Sequence, residues 1–178
     1  MPKKSRRRYA LATVLVLVIA GGVAEFLFYG PSNVQLSIRD PPQQSYGPSI
    51  QAIYVTFTSI EIHSANAGNN SGWHTIVTGA TVNLLTVLNV SKALGKSSAP
   101  PGKYTELRFN VSQIVVTISG VNVTYTIPSG SLKVPILNGG AQAYGALTVN
   151  VELDLSFNTN EILRKNGNLT PVATAKVA

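Results

Sequence analysis

Every second residue from Leu147 to Leu155 is apolar. Leu147, Val149, Val151, Leu153 and Leu155 fall on one face of an extended chain, and Asn150, Glu152 and Asp154 fall on the other. A helix of this sequence would scatter those residues around its whole circumference. Only a strand with one face against a core sorts them. The same period recurs through much of the chain. Val34–Arg39 alternates and is stopped by Asp40-Pro41-Pro42. Ile50–His63 is rich in β-branched and aromatic residues, and its alternation shifts near Ser59-Ile60, where a bulge would restore the inward face. Asn66–Gly72 reads as a polar hairpin loop. Trp73–Val77 and Thr81–Leu85 read as short strands about a Thr78-Gly79-Ala80 turn. Lys103–Val111, Gln113–Ile118, Val121–Ile127, Leu132–Leu137 and Val172–Val177 complete the set, separated by Gly, Pro and Asn turns. Thr86–Leu94 is the one stretch past Pro31 expected to be helical, and Ser97–Gly102 is expected to be a loop. Short strands at turn-separated intervals imply an all-β chain. The expected fold is an antiparallel, Ig-like or Greek-key β-sandwich with one core.

The first thirty residues obey a different rule. Lys3, Lys4, Arg6, Arg7 and Arg8 precede an apolar stretch from Ala10 to Tyr29, broken only by Glu25 and ended by Gly30-Pro31. About 20 such residues make a helix of roughly 30 Å, enough to cross a bilayer core. Basic residues before such a segment hold that end in the cytoplasm, so the rest is expected outside. Gly22-Val23-Ala24 offers a signal-peptidase site before Glu25. Apolar Phe26–Tyr29 beyond it favours an uncleaved anchor. The expected organisation is a cytoplasmic tail plus anchor or signal peptide over residues 1–30. An extracytoplasmic domain follows over residues 31–178. The location is then a single-pass membrane protein with its C-terminal domain outside, or a surface protein released after cleavage.

Charge composition bears on partners. The chain carries 14 basic and 7 acidic residues, a net +7. Five of the basic residues belong to the N-terminal tag. From Pro31 onward nine basic face six acidic residues, a net of only +3. No basic helix with interleaved aromatics follows, so no nucleic-acid partner is expected. The absence of cysteine excludes lipid attachment through a cysteine and stabilisation by disulfides.

Few residues could carry chemistry. Glu61 and His63 share a strand face, and with His74 they are the only trio resembling a metal set. Glu152 and Asp154 lie about 7 Å apart along one face, a spacing that a glycosidase pair or a Ca²⁺ site could use. Solvent-facing strand residues account for both groups more simply. No Gly-x-Ser-x-Gly elbow and no phosphate-cradling glycine motif occurs. The expectation is therefore no catalytic residue, no metal and no cofactor. Trp73 with the tyrosines offers stacking platforms for sugars, although a hairpin-end Trp more often packs. What is frequent is the Asn-x-Ser/Thr acceptor, at Asn69, Asn89, Asn110, Asn122 and Asn168, with Pro171 following Thr170 at the last.

Several of these stretches together resemble one family. Val34–Asp40-Pro41, Ile53–His63, Gly72-Trp73 and Val82–Leu85 are similar, in order, to the first elements of domain-of-unknown-function family 4382. Pro101-Gly-Lys-Tyr-Thr-Glu-Leu-Arg108 is the most specific match. Val123–Ile127 with Pro128-Ser-Gly130, and Leu169–Val172, extend it. The sequence departs at Asp154-Leu-Ser156, where the family tends to carry a second acid. The resemblance implies an exported β-sandwich of bacterial and archaeal surfaces and no assigned activity. A cysteine-free, acceptor-rich domain fits an archaeal surface glycoprotein. The expected function is a non-enzymatic envelope module that binds or spaces other envelope proteins or glycans. The alternatives are a filament or adhesin subunit that donates Phe26–Ile38 as a strand, and a carbohydrate-binding module.

Overall fold

The computed structural model describes residues 4–41, 46–164 and 166–178, with side chains from Ala12 onward. Lys3, Pro42 and the side chains of the rest of the basic run lie outside the described residues. Helix α1 runs Lys4–Tyr29, and its Ala12–Tyr29 portion is apolar, long enough to cross a bilayer and not buried by the rest of the chain. Gly30 ends it by donating its N–H to Phe26 O (2.9 Å). After Pro31 the chain enters strand β1, Ser32–Arg39.

Among the described residues, ten strands form two sheets. The first has the order β10-β9-β1-β4, with β4 Lys92–Ala99, β9 Thr148–Phe157 and β10 Pro171–Val177. The second is built on β3 Trp73–Asn83, β2 Ile50–Ser64, β5 Gly102–Ile118 and β6 Val121–Tyr125. Strands β7 Ser131–Pro135 and β8 Ala141–Ala143 also pair with β5. The sheets pack as a sandwich. Val34, Leu36 and Ile38 of β1 and Val151, Leu153 and Leu155 of β9 form one side of its core, all fully buried. Ile53, Val55, Phe57, Ile60 and Ile62 of β2 with Leu107 and Phe109 of β5 form the other. Phe57 and Phe109 meet edge to face at 6.1 Å. The period-two pattern assigned the β1 residues and Val151, Leu153 and Leu155 inward, but Leu147, on the same face of that pattern, lies in the turn before β9 and is exposed, and Val149 is half-buried.

Local details differ from the expected pattern in places and match it in others. The sandwich is antiparallel apart from β1 and β9, which run parallel, Asn33 beside Thr148 through Arg39 beside Asp154. The Thr86–Leu94 stretch is not a helix. A 3-10 turn at Leu84–Val87, capped by Asn83, is followed by a bridge from Leu88 to Asp40 and a left-handed Asn89 (φ +61°) before β4 begins at Lys92. Lys92–Ala99 has poor strand propensity, but as an edge strand it is held by its pairing with β1. The turn expected at Gly79 is passed within a continuous β3, with Gly79 at φ +64°. The irregularity expected near Ser59-Ile60 is present as register shifts after Phe57 and Ile60. A short helix α2, Thr159–Arg164, follows β9 and buries Ile162 against the core.

The register defines two poles. At one lie the end of α1, Ser32 beside Ala99, Gly102 beside Ala143, and the β2–β3 hairpin with Ser64 and Trp73. At the other lie Asp40 beside Leu88, Ile50 beside Ile118, Phe157 beside Pro171, and Asn168 beside Thr126. The helix therefore leaves from one end of the sandwich.

Candidate functional site

The far pole holds an unusual carboxylate. Asp40 is the residue after β1, where Pro41 prevents the ladder from continuing. Its backbone is fastened on both sides: its N–H donates to Val87 O (3.0 Å), and Asn89 N–H donates to its carbonyl (3.2 Å). The side chain thus turns into the protein and is fully buried. Tyr46 Oη donates to Asp40 Oδ2 at 2.6 Å and accepts from Phe157 N–H at 3.3 Å. Asp40 Oδ1 is buried and has no hydrogen-bond partner among the described residues. Burial raises the Asp40 carboxyl to about 6; the Tyr46 hydrogen bond opposes this in part, and the charge of Asp154 adds to it. Burial, then the bond to Asp40, pushes the Tyr46 hydroxyl upward as well. A carboxyl so placed changes protonation around pH 6 in the folded protein. It is closed to solvent, so this is an arrangement for tying the end of β1 to the end of β9, not an open cleft.

The outer face of the same sheet carries a charged network. Glu152 and Asp154 share this face, as their alternation requires. Arg39 Nε approaches Asp154 at 3.2 Å and Glu152 at 3.6 Å from β1. Lys176 Nζ reaches Glu152 at 3.2 Å and Asp154 at 3.1 Å from β10. Two cations thus bracket two carboxylates. Lys176 is held above its ordinary value, mainly by its bond to Asp154 and then by Glu152. Ser156, two residues after Asp154, is buried.

A third cluster decorates the second sheet near the helix-proximal pole. Arg108 binds Glu61 at 2.6 Å and lies 4.2 Å from the Trp73 ring centre. His63 packs against the same ring at 4.6 Å and places Nε2 3.1 Å from Gly68 O. Trp73 Nε1 donates to Asn69 O (3.1 Å). Lys133 Nζ stands 5.3 Å from the ring. Trp73 therefore packs at the hairpin end. His74, one residue on, takes the opposite face of β3 and meets Tyr104 edge-on at 5.9 Å. Glu61, His63 and His74 are thus not brought together. Among the described residues, no three His, Cys, Asp or Glu side chains group as metal ligands.

The five acceptor asparagines differ in setting. Asn69, Asn89, Asn122 and Asn168 are exposed, the last three at the far pole. Asn110 lies mid-strand in β5, half-buried, with Nδ2 donating to Ser59 Oγ at 2.8 Å. The sequence reading did not single out Asp40 and Tyr46 as a pair. Asp-Pro reads as an exposed turn, and nothing local signals that its carboxylate turns inward.

No curated protein and no solved structure matches the chain. The profile of one family, described as a domain of unknown function, DUF4382, matches residues 31–171, from the end of the helix linker to the first residue of β10. The chain belongs to the DUF4382 family.

Proposed function

We propose that the chain is a membrane-anchored, non-enzymatic, extracytoplasmic module of the cell envelope that binds or spaces other surface components. The observation that carries this reading is the junction. An apolar helix of spanning length passes through only Gly30 and Pro31 into β1, a strand inside the first sheet. A helix so connected holds its domain close to the bilayer rather than on a long tether. The pairing of Glu61 with Arg108, and of Glu152 and Asp154 with Arg39 and Lys176, supports a structural role for these groups. Exposed acceptor asparagines and the cysteine-free composition fit an archaeal surface glycoprotein.

The alternatives demand more of the molecule. Strand donation would need β1 to leave its place between β9 and β4. Sugar stacking on Trp73 would need Arg108 to vacate the ring face that it occupies. N-terminal sequencing of the protein from its native membrane tests the proposal. A chain starting at Met1 or Pro2 supports the anchor, and one starting at Glu25 refutes it in favour of release.

A further inference from the structure

The connection from β8 to β9 is a tight turn, closed by Leu147 N–H donating to Tyr144 O (3.2 Å). It presents two large side chains to the outside, Tyr144 at 54% and Leu147 at 56% exposure. The turn also touches the end of α1. A Cβ added to Gly145 would lie 2.8 Å from Leu27 O and from Phe28 C, and 2.9 Å from Gly30 N. Ala146 donates its N–H to Pro31 O, and Asn33 donates its N–H to Leu147 O. The placement of glycine here is telling. The left-handed position of the turn is Ala146, at φ +60°, where glycine would relieve strain. The glycine stands instead at 145, outside the left-handed region, where only its missing Cβ lets the helix come close.

That contact sets a depth. With the Ala12–Tyr29 portion spanning the bilayer, Leu27–Gly30 lie within about 5 Å of its outer hydrocarbon boundary, at 1.5 Å rise per residue. A turn in contact with those residues lies at the same level. We propose that the Tyr144–Leu147 turn is seated in the outer bilayer interface, with Tyr144 at headgroup level and Leu147 against the acyl boundary. The occupant of this apolar surface is lipid. Tyr29, 80% exposed at the end of α1, belongs to the same belt. Tyrosine favours that layer because its ring is apolar and its hydroxyl stays wet. The domain is then docked on the membrane by two contacts, the helix and the turn. This inference rests on the anchor reading above.

The absence of cysteine makes the test clean. Single spin labels are placed at Tyr144→Cys, Leu147→Cys, Leu17→Cys within the helix, and Val121→Cys and Val172→Cys at the far pole. Full-length protein is reconstituted in phosphatidylcholine vesicles. Collision of each label with oxygen, which partitions into lipid, is compared with collision with a water-soluble nickel chelate. Labels at 144 and 147 are expected to show an oxygen-to-nickel ratio several-fold above those at 121 and 172, and below that at 17. Val121 and Val172 are themselves exposed and apolar, so the difference would report depth and not local hydrophobicity. A deep label at 17 with ratios at 144 and 147 equal to the far pole overturns this inference and leaves the anchor standing. An aqueous ratio at 17 overturns both.

Discussion

Tyr46 and Asp40 form a buried hydroxyl–carboxylate pair, 2.6 Å apart, in which one carboxylate oxygen has no partner among the described residues. The pair links the end of β1 to Phe157 at the end of β9 through the bond that Tyr46 Oη accepts from its N–H. An unpaired buried oxygen is costly, and more so when charged. Protonation of Asp40 relieves part of that cost.

The sign of the pH dependence follows. Burial raises Asp40 in the folded state from 3.8 to about 6. The folded state therefore holds a proton that the unfolded state has released between these values. The stability contributed by the protonated form is complete below pH 3.8 and is lost as pH rises through 6. At neutral pH the loss is roughly 3 kcal/mol at most. Asp40→Asn keeps an acceptor for Tyr46 and removes the charge. It should stabilise the domain by about 1–3 kcal/mol at pH 8, with the gain shrinking towards zero near pH 4. Urea unfolding of both proteins across that range measures it. A pH-independent difference would mean that the charge of Asp40 is not what strains the site.

Trp73 is the chain's single tryptophan, so its emission reports its own surroundings. Arg108 lies over its ring and is tied down by Glu61. Arg108→Ala removes the cation–π contact and uncovers the ring, and should shift the emission to longer wavelength. The cost in stability should be about 1 kcal/mol, as for a partly exposed pair. Glu61→Gln should give a smaller shift in the same direction, because the guanidinium loses its tether. Unchanged emission in both variants would show that Arg108 does not shield the ring in solution.

The acceptor sites should separate by location. Asn110 is half-buried in the middle of β5, and its amide nitrogen already donates to Ser59. A glycan there would break that bond and crowd both neighbouring strands. Peptide mapping of protein from its native host should find sugar at Asn69, Asn89 or Asn122 and none at Asn110. Asn168 should be occupied least of the exposed sites, because Pro171 follows its Thr170. Glycosylated Asn110 would require that modification precedes folding of the sheet.

These sites also show what a sequence alone reveals here. The inward set of β1, of β2 and of β9 from Val151 onward was legible because burial of one strand face imposes a period of two on the residues themselves, whereas Leu147, assigned inward by the same period, lies in the turn before β9 and is exposed. The shared face of Glu152 and Asp154 was legible for the same reason. Their partners were not, since Arg39 and Lys176 reach them only through a parallel register on one side and an antiparallel one on the other. Registers between distant strands leave no local mark. Lys92–Ala99 was illegible as a strand because its pairing with β1, and not its composition, holds it extended. Nothing in the sequence marks Gly145, and only the helix end packed against it shows why a side chain is excluded there.

That exclusion gives the last prediction. Gly145 is not in the left-handed region, so a substitution strains it only through collision with Leu27, Phe28 and Gly30. All three contacts are backbone atoms, which cannot rotate away as a side chain could. Gly145→Val should therefore push the turn and the helix end apart. The bonds from Ala146 N–H to Pro31 O and from Asn33 N–H to Leu147 O span that junction and should open first. Amide exchange should quicken at Asn33 and Ala146 by at least tenfold, equivalent to about 1.4 kcal/mol of local opening. Amides of the β2–β5 pair, on the other sheet, should keep their protection. Protection retained at Asn33 and Ala146 would mean that the helix end is not held against this turn. The shared depth of the two would then lose its structural basis.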